Sequence, residues 1–249
     1  MTTTKTGVIV LRSEEAKELI GRAVAMLPQV QKARNSGRMV ITGGTTCRYV
    51  AKSLTGEDPG RDTFAVGWIK DGEMGESPAE GRGPGPIFFD EGDMQRGWPG
   101  PILEKFQAGD VYIKGANAID PHGNTAILMA SPVGGTIGAA LFILNARGGE
   151  LIIPVSLQKL IPSIPAVGGK LGQGKVDRVM GTKVGYMPIM AEYATVVTEI
   201  TALKSLYNLE ATMIASGGVD DSQGAVSFHV AGEASAIDTL FNDIGAIRG

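Results

Sequence analysis

Short apolar segments that end in glycine recur along this chain, and they constrain the fold more than any other feature. The chain holds 36 glycines among 249 residues, without the regular spacing of a collagen-like sequence. Several glycines directly follow apolar runs at which strands are expected to end, as in ITGGTTC at 41–47 and MASPVGG at 129–135. Glycine permits tight turns and close backbone approaches at such points. This pattern is typical of an α/β protein.

Predicted strands alternate with predicted helices over much of the chain. Residues 13–35 follow helical spacing until Pro28, which is expected to end or kink the helix. The segments RMVIT at 38–42 and ELIIPVS at 150–156 are typical of buried strands. Strands that alternate with helices favour right-handed crossovers and a parallel sheet.

These elements predict an α/β fold in two parts. Residues 1–205 are expected to form a Rossmann-like three-layer domain with a mostly parallel sheet. Residues 206–249 are expected to form a small α+β, ferredoxin-like C-terminal lobe, because they contain a strand, a Gly/Asp-rich turn, a second strand and a short amphipathic helix. Residues 71–85, rich in glycine and proline, favour a loop or a mobile flap.

Charge and composition disfavour several classes of protein. The formal net charge is −3 and no basic tract is present, which argues against an electrostatic grip on nucleic acid. No apolar run has the length of a membrane span, and the N-terminus lacks a signal-peptide core. The single cysteine, Cys47, and two histidines favour neither a disulfide framework nor a His/Cys zinc site. We expect a cytoplasmic protein that binds no nucleic acid, membrane, metal or cofactor.

Two Gly/Thr turns enter predicted helices and resemble anion-binding sites. Backbone N–H groups at a helix N-terminus, with threonine hydroxyls beside them, attract phosphates and carboxylates. The alternative for the first turn is a simple strand-to-helix connection with Thr45 as N-cap. Two such turns that follow strands of one parallel sheet would face the same edge, where α/β proteins bind ligands. The predicted ligand-binding residues of these turns are Gly43, Gly44, Thr45, Thr46, Gly134, Gly135 and Thr136.

The stretch DVYIKGANAID at 110–120 carries three polar side chains at the end of a predicted buried strand. Lys114, Asn117 and Asp120 would be costly in a core unless hydrogen bonds or a ligand satisfied them. We place them at the polar centre of a pocket between the two Gly/Thr turns. His122 is either an acid/base group next to Asp120 or an exposed turn residue.

Three further features have both a structural and a functional interpretation. Cys47, in the first turn of a predicted helix, is either a reactive thiol or a small core residue. Lys170 and Lys175 either reach a phosphate from a mobile loop or are solvated. The acidic stretch DEGD at 90–93 either binds a divalent cation or is a solvated loop.

Together these segments resemble the superfamily of ribose-phosphate isomerases, glucosamine-phosphate deaminases and CoA transferases. ITGGTTCRYVAKSL at 41–54 is similar to the isomerase turn G-T-G-S-T, which holds the substrate phosphate, and KGANAID at 114–120 is similar to its D-G-A-D-E-I-D. SPVGGTIGAAL at 131–141 occupies the place of the N-K-x-G-T turn in methylthioribose-phosphate isomerases. ATVVTEITAL at 194–203 resembles a late strand of CoA transferases. The resemblance implies a sugar phosphate, CoA or nucleotide moiety as ligand.

The departures from these motifs leave two functions open. Asn117 stands where the relatives hold a carboxylate, and an amide cannot accept a proton as a general base. An enzyme with isomerase-, lyase- or transferase-type chemistry would use Asp120 as base, Lys114 to stabilise an anionic oxygen, and Asn117 as hydrogen-bond donor. The alternative is a non-catalytic metabolite sensor or assembly subunit with the same pocket. In either case we expect a small anionic metabolite as partner and a homo-oligomer.

Overall fold

The computed structural model describes residues 3–78, 80 and 83–248. The helices are α1 (Ser13–Met26), α2 (Pro28–Ser36), α3 (Thr45–Thr55), α4 (Arg61–Phe64), α5 (Gly100–Leu103), α6 (Gly135–Arg147), α7 (Glu199–Tyr207) and α8 (Ala234–Arg248). The strands are β1 (Thr4–Leu11), β2 (Arg38–Ile41), β3 (Gly67–Lys70), β4 (Glu73–Glu76), β5 (Ile87–Asp90), β6 (Asp93–Arg96), β7 (Val111–Ile113), β8 (Ala118–Ile119), β9 (Thr125–Met129), β10 (Glu150–Pro154), β11 (Gly185–Ile189), β12 (Thr195–Val197), β13 (Glu210–Gly217) and β14 (Ala225–Glu233).

The largest sheet is mixed, with the strand order β12-β10-β7-β2-β5-β6. Strands β12, β10, β7 and β2 run parallel to one another. Next to β2, strand β5 pairs antiparallel with β2, and β6 pairs antiparallel with β5. The reversal between β5 and β6 is a tight turn in which Glu91 and Gly92 have φ values of 53° and 98°. Two central residues with positive φ are typical of a two-residue hairpin turn. The expectation of a solvated loop at 90–93 therefore missed this hairpin turn and the start of β6 at Asp93.

The prediction of a Rossmann-like domain with a mostly parallel sheet is wrong. Outside the mixed sheet, the strands pair antiparallel, in the orders β1-β14-β13, β11-β9-β8 and β3-β4. Part of the segment 71–85 that favoured a loop is strand β4, joined to β3 by Asp71 and Gly72 with φ values of 54° and 80°. Residues 79, 81 and 82 of that segment lie outside the described residues.

The C-terminal strands share their sheet with the N-terminal strand. β1 pairs antiparallel with β14 along its whole length, from Thr4 opposite Glu233 to Leu11 opposite Val226. The elements predicted for 206–249 (strand, turn, strand and helix) are present as β13, β14 and α8. One apolar cluster joins this sheet to the mixed sheet through α1 and α7. The domain boundary at residue 205 remains a prediction.

The parallel strands are buried on both faces, and this burial positions the site. Met39, Val40 and Ile41 of β2 are completely buried, as are Ile113 of β7 and Ile152 of β10. Such continuous apolar runs suit strands that are covered by helices on both sides of a sheet. Because these three strands are parallel neighbours, the residues after them emerge at one edge.

The helices over this sheet confirm the predicted break at Pro28. The predicted helix at 13–35 divides at Pro28, which is the first residue of α2, where its missing N–H costs nothing. Gly21 of α1 allows a close crossing with α3, because a Cβ at this position would lie 2.6 Å from the backbone carbon of Tyr49.

Among the described residues, no helix is both long and apolar enough to cross a membrane.

Candidate functional site

A cavity of about 500 Å³ lies beyond the carboxyl ends of the parallel strands. Its floor is formed by residues that follow β2, β7 and β10, and its roof by the hairpin of β3 and β4. Of the predicted site residues, all except Asp120 line this cavity: Gly43, Gly44, Thr45, Thr46, Lys114, Asn117, Gly134, Gly135 and Thr136. The two Gly/Thr turns therefore meet at one cavity, as predicted. The second turn, however, follows β9 of the antiparallel sheet β11-β9-β8 and not a strand of the parallel sheet.

Helix α3 begins at the cavity without a capping side chain. Gly44 is its N-cap residue and Thr45 is its first helical residue, so the alternative in which Thr45 caps the helix is not what the structure shows. Gly43 is required before it, because a Cβ there would collide with the carbonyl oxygen of Phe64. The first N–H groups of the helix, which carry its partial positive charge, remain available to a ligand.

Thr46 adds a second unsatisfied group at the same helix end. The residue is 2% exposed, and its hydroxyl oxygen has no hydrogen-bond partner in the described part of the chain. A buried hydroxyl without a partner costs about 1–3 kcal/mol. Because Thr46 also lines the cavity, a ligand with acceptor oxygens would remove this cost.

Helix α6 brings a second uncapped N-terminus to the cavity. Its N-cap residue Gly134 and its first residue Gly135 have φ values of 81° and 58°, a conformation that favours glycine. The hydroxyl of Tyr112 in β7 donates a hydrogen bond of 2.7 Å to the carbonyl oxygen of Thr136, which fixes the helix start against the sheet. The two helix ends both present positive partial charge to the cavity.

Two lysine side chains reach the same space. Lys114 follows β7 directly, and its ammonium has no hydrogen bond or ion pair within the described residues. Burial lowers the pKa of Lys114, and the nearby thiol of Cys47 offsets only part of this effect. Burial also lowers the pKa of Lys159 to about 8, and the charges of Lys17 and Lys114 act in the same direction.

The contribution of Lys159 was not predicted from the sequence. Its Nζ donates a hydrogen bond of 2.7 Å to the carbonyl oxygen of Ala116, and the residue lines the cavity. It belongs to a short 3-10 turn, Leu157–Lys159, that follows β10. The available signal was its place just after a third buried strand, at the same edge as Lys114.

Asn117 is held as a hydrogen-bond donor to the cavity. Its Oδ1 accepts a hydrogen bond of 3.0 Å from the backbone N–H of Leu128. Its Nδ2 has no partner within the described residues, so the amide offers N–H groups rather than an oxygen to a ligand.

Asp120 lies outside the cavity lining and is 2% exposed. Its carboxylate accepts hydrogen bonds from the backbone N–H groups of Ile164 (3.0 Å), His122 (3.0 Å) and Asn124 (3.1 Å), and from Asn124 Nδ2 (3.1 Å). Burial alone would raise the pKa of Asp120, but these hydrogen bonds outweigh it and lower the pKa. The geometry fits a carboxylate that organises the loop behind Asn117.

The roof of the cavity is mainly apolar. Trp68 and Ile69 of β3 and Met74 of β4 line it, and the Trp68 ring lies across Gly75, where a Cβ would collide with it. The backbone of Met74 is bound to the neighbouring segment: its N–H donates to Met180 (3.0 Å), and its carbonyl accepts from Thr182 (2.7 Å). The lining is thus polar and positive at the floor and apolar at the roof.

Charge in the lining favours an anion. The described residues of the lining include one carboxylate, Glu76 of β4, against the side chains of Lys114 and Lys159 and two helix N-termini. This local excess of positive character contrasts with the net charge of −3 of the whole chain. Such a concentration attracts anionic ligands into a protein that is negative overall.

Other candidates from the sequence are not at this site. Cys47 is fully buried outside the lining, and burial raises its pKa. Lys170 and Lys175 are exposed and do not line the cavity, and His122 is an exposed turn residue. Within 90–93, the carboxylate of Asp90 forms an ion pair of 2.7 Å with Lys105. No group of His, Cys, Asp and Glu side chains that could hold a metal occurs in the ranges the structure describes.

No protein-family model matches the chain, and no curated protein matches it either. The superfamily resemblance of the short motifs therefore remains an expectation, and the functional inference depends on the geometry of the cavity.

Proposed function

We propose that the cavity binds a small metabolite through a phosphate or carboxylate group at the N-terminus of α3. One observation carries this proposal: the buried Thr46 hydroxyl has no partner in the described part of the chain and lies beside an uncapped helix N-terminus in a cavity lined by two lysines. Proteins pair nearly all buried polar groups, so an unpaired one at an anion-binding geometry favours a ligand.

The rest of the lining supports a metabolite with a polar head and a carbon body. The N-terminus of α6 and the lysines Lys114 and Lys159 surround the polar end, while Trp68 and Met74 cover the other. The volume of about 500 Å³ lies within the range of ordinary small-molecule sites, roughly 300–1,000 Å³. These features favour a sugar phosphate or the phosphate-bearing part of CoA or a nucleotide over an inorganic ion.

Isomerase- or transferase-type turnover is one form of this function. The lysines would stabilise a developing anionic oxygen, and Asn117 Nδ2 would donate a hydrogen bond to the substrate. A proton acceptor is the missing part, because the Asp120 carboxylate already accepts four hydrogen bonds behind the cavity.

The second candidate is a non-catalytic sensor or assembly subunit with the same pocket. The observation that favours it is the combination of an amide at position 117 with an occupied carboxylate at position 120. Such a protein would report ligand binding through its assembly. Incubation of the protein with each metabolite that binds, followed by product analysis, separates the two candidates.

A thermal-shift and calorimetry series tests the binding itself. Inorganic phosphate, ribose 5-phosphate and CoA are titrated against wild-type protein and against Thr46→Val, which keeps the shape but removes the hydroxyl. A ligand at about one hundred times its dissociation constant stabilises the fold by about 2.7 kcal/mol. Thr46→Val is expected to weaken binding about tenfold or more, because a hydrogen bond to a charged group contributes about 1.5–3 kcal/mol.

The matched control is Thr55→Val in the last turn of the same helix. The Thr55 hydroxyl donates to the carbonyl oxygen of Ala51 and faces away from the cavity lining. We expect this variant to bind as wild type does. Equal affinity of Thr46→Val and wild type, or no stabilisation by any of the three anions, would contradict the proposal.

A further inference from the structure

We propose that Lys114 is a carbonyl-reactive amine that forms an imine with metabolites carrying both an aldehyde or ketone and an anionic group. The proposal rests on the anion site at α3, because that site is what would hold the carbonyl compound in the cavity. It assigns to the cavity a class of ligand, the oxo compound with a phosphate or carboxylate, and a covalent mode of binding.

The first observation is that the Lys114 ammonium has no hydrogen-bond or ion-pair partner within the described residues, whereas several other lysines do. Ion pairs to carboxylates hold other ammonium groups, among them Lys17–Glu14 (2.7 Å), Lys52–Glu18 (3.1 Å), Lys105–Asp90 (2.7 Å) and Lys204–Glu210 (2.6 Å). Within the described residues, the Lys114 nitrogen has no such bond, and its side chain lines a cavity. An amine must be unpaired and accessible before it can attack a carbonyl.

The second observation is the position of its backbone. The N–H of Lys114 donates a hydrogen bond of 3.0 Å to the carbonyl oxygen of Ile152 in the neighbouring strand. Lys114 therefore stands on the end of a buried parallel sheet rather than on a mobile loop. A nucleophile on a rigid element keeps its attack geometry.

The third observation is that the surroundings disfavour a charged Lys114. The side chain of Lys159 and the positive N-termini of α3 and α6 share the cavity, and each repels an ammonium. A lysine next to another cationic group is one of the recognised arrangements that activate an amine as nucleophile.

The described acidic groups near Lys114 do not supply a partner that would hold its amine in the charged form. The thiol of Cys47 stays protonated, because burial raises its pKa. Glu76 is on the roof, with β4, while Glu199 lies beyond Lys159 and accepts from the backbone N–H of Leu157 (2.9 Å). Within the described residues, Glu199 forms no ion pair with Lys114.

The reaction balances without any further reagent. The lone pair of the neutral Lys114 nitrogen forms a bond to the carbonyl carbon, and the carbonyl π electrons move to oxygen. The nitrogen gives up two protons and the oxygen takes both, so one water molecule leaves and a carbon–nitrogen double bond remains. The amide N–H groups of Asn117 are available to hold the carbonyl oxygen before it leaves.

The test is reductive trapping with a probe that carries an aldehyde and a phosphate. Wild-type protein is incubated with pyridoxal 5′-phosphate at neutral pH, reduced with borohydride and mapped by peptide mass spectrometry. We expect one dominant adduct on Lys114, formed about tenfold faster or more than adducts on the exposed Lys170 and Lys175, because those amines lie outside the cavity and its anion site. The peptide map of the wild-type protein gives this result without any variant.

Matched variants and competitors sharpen the result. Lys114→Arg keeps a long basic side chain but forms no stable imine, so the dominant adduct is lost, whereas Lys175→Arg retains it. Pyridoxal without phosphate labels Lys114 more slowly, and inorganic phosphate protects it.

Labelling spread evenly over surface lysines, or concentrated on Lys159, overturns the proposal. If phosphate stabilises the fold while Lys114 remains unlabelled, the imine proposal alone fails. If no anion stabilises the fold and phosphate gives no protection, the proposed anion site fails as well.

Discussion

Helices α3 and α7 both begin after a parallel strand of the same sheet, yet their N-termini differ in the side-chain hydrogen bonds that they receive. At α7, the backbone N–H of Thr198 donates a 2.7 Å hydrogen bond to Thr201, and the buried Glu199 accepts from the backbone of Leu157. At α3, the N-cap is a glycine and the Thr46 hydroxyl has no partner. One helix end thus has side-chain partners within the chain, whereas the other has none among the described residues, and we propose that a ligand binds there.

The largest expected effect on stability is at the satisfied end. Glu199→Ala leaves the N–H of Leu157 unpaired and opens a cavity, and we expect it to lower the free energy of unfolding by about 3–5 kcal/mol. Urea denaturation measures this change. Glu199→Gln keeps an acceptor oxygen and is the control, with a loss of about 1 kcal/mol. If Glu199→Ala is as stable as wild type, the hydrogen bonds at the start of α7 do not stabilise the fold, and the proposed difference between the two helix ends is wrong.

Asp120→Asn is expected to have the next largest effect. The amide replaces one acceptor oxygen by a donor that faces the N–H groups of Ile164 or Asn124, so stability falls by about 1–3 kcal/mol. The pKa of Asp120 is lowered in the folded state, so its contribution is fully present above the unfolded pKa, near 4, and is lost as the pH falls through the lower folded value.

Chemical denaturation between neutral pH and pH 3 checks this prediction. The stability difference between wild type and Asp120→Asn should shrink below about pH 4. A difference that is independent of pH would contradict the inferred ionisation. Unchanged ligand affinity at neutral pH, beside the loss of stability, would distinguish an organising carboxylate from one that contacts the ligand.

The smallest effect compares the same substitution at both helix ends. Thr201→Val removes the acceptor of the Thr198 N–H and should cost about 1 kcal/mol of unfolding free energy. Thr46→Val removes a hydroxyl that has no partner, so unliganded stability should stay within about 0.5 kcal/mol or rise. Parallel thermal melts of the two variants, with and without phosphate, test this. Equal losses in the unliganded protein would indicate a structural role for the Thr46 hydroxyl.

Local signals in the sequence predicted much of the site. The turns at Gly43–Thr46 and Gly134–Thr136 could be recognised because each joins a buried apolar strand to a helix through glycines that the geometry requires. The predicted reason for their convergence is wrong, because only the first turn follows a strand of the parallel sheet, β2. The second turn follows β9, which pairs antiparallel with β11 and β8.

Long-range pairing explains what the sequence did not predict. The sequence of β1 contains nothing that indicates β14 as its partner, and the turn at Glu91 and Gly92 was interpreted from its acidity rather than from its hairpin geometry. The burial of Asp120 depends on Ile164, which is remote in the chain, and the arrival of Lys159 at the cavity depends on the turn after β10. The local motifs therefore indicated most of the predicted residues in the cavity lining, but not that Asp120 is buried behind it.

The pairing of β1 with β14 has a consequence for how the chain reaches its native state. Nearly the whole polypeptide separates Thr4 from Glu233, so this ladder has a very high contact order. During synthesis β1 emerges first and must wait for its partner, with apolar residues such as Ile9 and Leu11 uncovered. A molecule that lacks β14 would keep an unpaired strand edge, which is a template for aggregation. Completion of this sheet is therefore expected to be a late step of folding, because it requires that β14 has been synthesised to its end.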